Sequence, residues 1–227
     1  MQRFNTFNMI HKALRAMLYD TALTMQQTYF ADTTEAADVF EKMNDVIFAF
    51  EQHGMHEDTI LMPVIASYDP AMILSFEQEH KEDLSLGNKL KHLQNMYHAT
   101  ETSEEKLMVG SVMIRAFRDY MIFNLEHMQR EEVDLNKLLW DHYTDEELLE
   151  INERIIATIP PAEMASTSKW FMQAINKEEA KGWLIAVKRS APDFVFDSLF
   201  ELTDTYLTER FRAEVQDAVL AHKVPVF

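Results

Sequence analysis

Four histidines and two glutamates hold the chemistry that can be read in this chain. His53 and Glu57 stand four residues apart, and so do His127 and Glu131. On a helix, positions i and i+4 lie about 40° apart and one turn displaced, so an imidazole and a carboxylate at this spacing reach one point together. His11 and His80 offer further imidazoles from elsewhere in the chain. Nitrogen and oxygen donors in this mixture suit iron, manganese or zinc. Two carboxylates can each bridge a pair of cations about 3.5 Å apart. A majority of imidazole with such carboxylates leans towards redox-active iron.

The donors meet only if the chain reverses between them. The midpoint of His11 and His53 is residue 32, inside Ala31-Asp32-Thr33-Thr34. The midpoint of His53 and His80 falls between residues 66 and 67, inside the segment from Pro63 to Pro70. The midpoint of His80 and His127 falls between residues 103 and 104, at the end of Thr100-Glu101-Thr102-Ser103. Reversals at these three points bring all four imidazoles to one level of a helical bundle.

The elements that must do this are long helices. Helix one is expected from about Asn5 to Phe30, with Met9, Ile10, Leu14, Met17, Leu18 and Leu23 at helical spacing. Thr33 or Thr34 is expected to cap helix two, which continues through Phe40, Met43, Ile47 and Phe50 to about Met62, where Pro63 ends or kinks it. Asp69-Pro70 starts helix three, which carries Ile73, Phe76, His80, Leu84, Leu90 and Leu93 to about His98. Ser103-Glu104-Glu105 starts helix four, which runs to about Trp140. The fold expected is all-α, an up-down-up-down four-helix bundle.

After Thr144-Asp145-Glu146-Glu147 a short helix is expected to about Ile159, and Pro160-Pro161 then marks a boundary. Residues 1–159 are thus read as the bundle with a trailing helix, and 160–227 as a C-terminal helical extension. In the extension, one or two short helices around Trp170 and Trp183 precede a last helix from Pro192 to about Leu220. This segment is too aromatic for disorder and too small for a secure core of its own, so it is expected to pack on the bundle or on a second subunit.

Composition narrows the function classes. With 227 residues, 4 Gly and 6 Pro, the chain suits one large helical domain or one domain with an extension. The 15 Met and 15 Phe read as adaptable core filling between helices. A net charge of −17 argues against nucleic acid and anionic lipid as partners. No Cys is present, which excludes disulfides, thiolate catalysis and iron–sulfur ligation. The opening stretch Met1 to Asn8 has no apolar run like that of a signal peptide, and no stretch approaches membrane-spanning length, so a cytoplasmic location is expected.

Together, His11, His53 with Glu57, His80 after Glu77-Gln78-Glu79, and His127 with Glu131 resemble the hemerythrin-like family of His-His-Glu cation-binding domains. The resemblance covers about residues 5 to 140. It implies a non-haem di-iron centre with bridging carboxylates and terminal histidines. It also implies a function in binding dioxygen, sensing oxygen or iron, or handling nitric oxide or peroxide. Oxygen carriers of the family have a second histidine one turn before the third-helix histidine, and here that position is Phe76. One iron would then hold water or another side chain, with His56, Glu77 and Glu79 as candidates. This departure weakens reversible oxygen carriage and is more like the iron-sensing members. The branch that repairs iron–sulfur centres carries an N-terminal cysteine motif, which this chain lacks.

The leading expectation is a binding or sensing protein with two iron ions. A di-iron oxidoreductase acting on peroxide or nitric oxide is the alternative, and a metal-free helical interaction module is the third. The C-terminal helices are candidates for a homodimer face. His92, His98, His142 and His222 lack partners at one-turn spacing and read as surface residues. Glu77, Glu79, Asp83 and Glu132 read as solvated groups or as acceptors for the outer nitrogen of a ligating histidine. Phe50, Phe76, Tyr120 and Phe123 read as core, and as a dry wall around any metal. Trp170 and Trp183 read as fastenings of the extension.

Overall fold

A computed structural model describes residues 3–222; residues 1–2 and 223–227, the outer ends of the opening stretch and of the extension, lie outside the described residues. All regular structure among the described residues is helical. No helix among them is long and apolar enough to cross a membrane.

Four long helices begin where local chemistry starts them. The Asn5 side chain accepts from the backbone N–H of Phe7 and Asn8 ahead of α1, Asn8–Gln27. Asp32, rather than either threonine after it, caps α2, Thr33–His56, by accepting from the N–H of Thr34 and Glu35. Aspartate is the better acceptor here because it is ionised and faces the positive helix end. Asp69 caps α4, Pro70–Ala99, with proline in the first turn. Thr102 and Glu105 form a reciprocal capping box on α5, Ser103–Arg130.

Between α2 and α4 the helix does not stop at Pro63. It passes through a π-helical turn, Glu57–Leu61, into a short α3, Met62–Ile65, with Pro63 in its first turn. A second π-turn, Glu131–Leu135, follows α5 and leads into α6, Asn136–His142. Proline cannot be the common cause, since no proline follows the second turn. What the two turns share is a buried glutamate at their first position. A wider turn holds one extra residue and re-aims the side chains around it.

Helix α1 packs on α2 and α5, and α4 packs on α5 and α2. At one end Phe7, Leu61, Ile73, Phe76 and Leu139 form an apolar cluster, completed by Leu148 and Ile151 of α7, Asp145–Ile156. Towards the other end Phe30 turns inward from the loop after α1, and its carbonyl accepts from Tyr97 Oη at 2.7 Å. Gly110 makes room for that ring. Leu23 and Leu84, placed on buried faces by their spacing, are exposed at 54% and 44%.

The described residues fall into two compact units that part between Thr158 and Ile159. In the second, α8 (Pro161–Ala174) and α9 (Lys177–Ser190) are followed by α10 (Asp193–Tyr206) and α11 (Glu209–Ala221). Residues 162–168, small and polar in sequence, are helical. The single last helix expected from Pro192 to Leu220 is two. The backbone is extended at Leu207 and Thr208, so α11 folds back, and Gln216 Nε2 donates to Thr203 Oγ1 at 2.7 Å. Thr203 of α10 and Val215 and Val219 of α11 are buried, and both helices pack on α9, which a continuous rod would not allow. Trp183 stacks edge-on against Phe171, fastening α9 to α8.

A Cβ added at Gly110 would stand 2.3 Å from Phe30 Cγ and 2.6 Å from its Cβ. Gly110→Ala is therefore expected to lower the melting temperature. Overpacking at roughly 1–3 kcal/mol outweighs the roughly 1 kcal/mol gained in helix propensity. A thermal melt that rose would contradict the seating of Phe30.

Candidate metal centre

The six expected donors lie together inside the first unit. His11 comes from α1, His53 from the end of α2, His80 from α4 and His127 from the end of α5. Glu57 and Glu131 open the two π-turns. Each is almost wholly buried, at 2% and 0% exposure. His11 Nε2 and His53 Nε2 stand 3.1 Å apart, and the His80 and His127 rings cross edge to face at 5.0 Å between centroids.

The two carboxylates connect these pairs. Glu57 Oε1 lies 3.3 Å from His53 Nε2 while its Oε2 lies 3.2 Å from His80 Nε2. Glu131 Oε2 lies 3.3 Å from His11 Nε2 while its Oε1 lies 2.9 Å from His127 Nε2. Each carboxylate thus sets one oxygen against each histidine pair. The donors form two overlapping groups, His11-His53-Glu57-Glu131 and Glu57-His80-His127-Glu131, with ligand atoms within 4.8 Å of one another in each.

These contacts are close, but they are not aimed as hydrogen bonds. All four carboxylate oxygens of Glu57 and Glu131, and His80 Nε2, are buried without a hydrogen-bond partner. Donor atoms that approach without pointing at one another point at the space between them. Ligands about 2.1 Å from one cation stand roughly 3.0–3.4 Å apart, close to the separations seen. The residues fit a pair of cations on this geometry.

The electrostatics agree. Burial pushes the Glu57 carboxyl above its ordinary range, the charge of Glu131 adds to this, and His80 opposes it. Burial also acts on Glu131, but His127, His11 and His80 together hold it well below the ordinary range. Burial, helped by the neighbouring His11, depresses His53 and favours its neutral ring. Two buried carboxylates side by side disfavour double ionisation, and cations between them remove that conflict.

The outer nitrogens of His11, His80 and His127 meet a second layer of carboxylates. His11 Nδ1 meets Glu132 Oε1 at 3.0 Å, and Arg15 holds that same oxygen at 2.7 Å. His80 Nδ1 meets Asp58 Oδ1 at 2.7 Å. His127 Nδ1 meets Glu79 Oε2 at 2.8 Å, and Glu79 is paired in turn with Arg130. An Nδ1–H donating outward leaves the Nε2 lone pair facing the centre. Asp58 and Glu132 directly follow Glu57 and Glu131. Each π-turn therefore sends one carboxylate inward and the next to a histidine of the other helix pair.

The part played by Asp58 was missed in the sequence. The available signal was the recurrence of His-x-x-x-Glu followed by a further acidic residue. Glu79 and Glu132 take the supporting position expected of such groups. His56 and Glu77 belong to neither donor group, and Glu79 turns to His127. Phe76 is fully buried in the apolar cluster, with the Arg130 guanidinium 4.6 Å above its ring. Phe50 and Tyr120 are buried, while Phe123 is half-buried and stacks parallel to His127. His92, His98 and His142 are exposed; His142 stacks on Tyr68, and His222 is half-buried beside Arg189.

A family model described as the hemerythrin HHE cation binding domain matches residues 4–139, more than half of the chain and all six donors. The chain belongs to this family. No curated protein and no solved structure matches it. The C-terminal unit lies beyond the hemerythrin match.

Asp58→Asn and Glu132→Gln are each expected to weaken metal affinity roughly 10- to 100-fold, the cost typical of losing such a support. Glu77→Gln should leave it unchanged. Competition with a chromogenic chelator measures all three, and equal affinities would remove the orienting role.

Proposed function

We propose that this chain is a hemerythrin-type di-iron protein that binds or senses dioxygen, nitric oxide or iron supply. The observation that supports this most is the split of each carboxylate: Glu57 and Glu131 each set one oxygen against each histidine pair. In this reading His11 and His53 would hold one ion, His80 and His127 the other, and both glutamates would serve the two ions together. Manganese or zinc would suit the same donors. The packing of α1, α2, α4 and α5 on one another supports an up-down-up-down bundle around the centre.

Iron bound there supplies a redox couple and open coordination positions for a small ligand. The chain's own residues orient the imidazoles, keep the carboxylates out of water and close one face. Phe76, seated under Arg130, offers no donor where oxygen carriers have a further histidine, which favours sensing or turnover over reversible carriage. An oxidoreductase acting on peroxide or nitric oxide is the second reading, favoured by a cavity that reaches His53, His80 and His127. A metal-free interaction module fits poorly, because four buried carboxylate oxygens would then remain without partners.

The same proposal places the protein in the cytoplasm and reads residues 160–227 as an extension with a homodimer face. Phe194 of α10 is 72% exposed, and Thr203 alone of that helix is fully buried.

Protein purified with iron should contain about two iron ions per chain, as for a two-metal site. Metal analysis giving fewer than one in the unaltered chain would sink the reading. Glu131→Ala, which removes a donor from both groups, should lose both ions rather than one. Phe194→Asp in the full chain should halve the mass measured by light scattering; an unaltered chain that already runs as a monomer would dispose of the dimer.

A further inference from the structure

The centre is nearly two-fold. Helix α1 corresponds to α4, and α2 with its π-turn corresponds to α5 with the second π-turn. Phe7 stands four residues before His11 and Phe76 four before His80, both buried in one apolar cluster. Glu57 and Glu131 open the π-turns four residues after His53 and His127. The outer supports follow the same rule. His80 Nδ1 meets Asp58 at 2.7 Å and His11 Nδ1 meets Glu132 at 3.0 Å, and each of these carboxylates is the second residue of the π-turn in the other helix pair.

The correspondence fails at one place. His127 Nδ1 meets Glu79 Oε2 at 2.8 Å, and Arg130 pairs with that glutamate. Glu79 directly precedes His80, and Arg130 follows His127 by three residues. The corresponding residues of the first helix pair are Ile10, directly before His11, and His56, three residues after His53. Isoleucine has no acceptor to offer. The polar contacts of His53 run through Nε2, to His11 Nε2 at 3.1 Å and Glu57 Oε1 at 3.3 Å. Among the described residues no carboxylate meets its Nδ1.

A carboxylate on the outer nitrogen fixes the tautomer and the ring, and makes the inner nitrogen a stronger donor. Losing such a support typically weakens metal binding roughly 10- to 100-fold. Three of the four histidines have one, and both histidines of the second pair are among them. Water reaching His53 from the cavity that it lines can accept its proton, but brings neither charge nor a fixed position.

We propose that the two ions are held unequally: the ion between His11 and His53 is the weaker and leaves first when metal is scarce, because Ile10 stands where Glu79 supports the other pair. This rests on the reading of the centre as a two-iron site. It makes the His11–His53 place the one whose occupancy follows iron supply, and residue 10 the position that sets its affinity.

The test loads the full chain with iron(II) in the absence of oxygen and titrates it with a chromogenic iron(II) chelator. The unaltered chain should release its ions in two steps, with midpoints at least about tenfold apart in free iron, the least that a missing support costs. Ile10→Glu should tighten the first step at least about tenfold and leave the second within about threefold. Glu79→Ile, the reverse exchange, should weaken the second step at least about tenfold and draw the two together. Circular dichroism checks that each variant keeps its helices. Two ions leaving the unaltered chain in one step would overturn the inference, and so would a folded Ile10→Glu chain whose first step is unchanged. Should Ile10→Glu not fold, Glu79→Ile decides alone, and an unchanged second step overturns the inference. Fewer than one iron in the unaltered chain defeats the metal centre and this inference with it, whereas two equal ions defeat this inference only.

Discussion

The first unit is organised around two carboxylates buried side by side. Glu57 and Glu131 expose 2% and 0% of their surface, and none of their oxygens has a hydrogen-bond partner. Two such charges in an interior repel each other and forgo the solvation of water. Four imidazole nitrogens packed around them supply the nearest compensation, and cations between them would complete it. Long helices, sharp caps and a dry apolar layer on one side are what hold so costly a group of side chains in place.

The π-turns are the local device that makes the arrangement fit. Both begin at the buried glutamate, and both are followed by an acidic residue that reaches across to the opposite helix pair. Asp58 steadies His80 and Glu132 steadies His11. The two helix pairs are therefore joined by crossed hydrogen bonds as well as by packing. His127 is steadied within its own pair by Glu79, and Arg130 holds Glu79 while covering Phe76. The side of the centre near Phe76 is consequently apolar, while a cavity lined by both polar and apolar groups, Asp83 and Phe50 among them, lies on another side. That asymmetry gives a nearly symmetric set of ligands a front and a back.

Much of this was legible in the sequence. The reversals placed by equal spacing at residue 32, between 66 and 67, and between 103 and 104 fall at or beside the gaps between Gln27 and Thr33, Ile65 and Pro70, and Ala99 and Ser103. The four histidines and two glutamates lie together in two overlapping groups. The extension was read less well. Apolar residues recur at helical spacing through Leu207 and Thr208, and nothing in the pattern reveals the turn that lets α11 fold back. Leu23 and Leu84 share the helical period of buried neighbours yet face outward, because periodicity gives a stripe and not its edges.

By itself, the sequence determined what is local: an imidazole and a carboxylate one turn apart, helix starts close to residues 33, 70 and 103, and a charge balance that disfavours nucleic acid. These follow from a helix's fixed pitch and from hydrogen bonds spanning two or three residues. Only the tertiary structure decided which carboxylate steadies which histidine, that the helices widen at Glu57 and Glu131, and where the cavity opens. Those outcomes depend on groups 22 to 121 residues apart in the chain, such as Asp58 with His80 and His11 with Glu132, whose meeting no local spacing encodes.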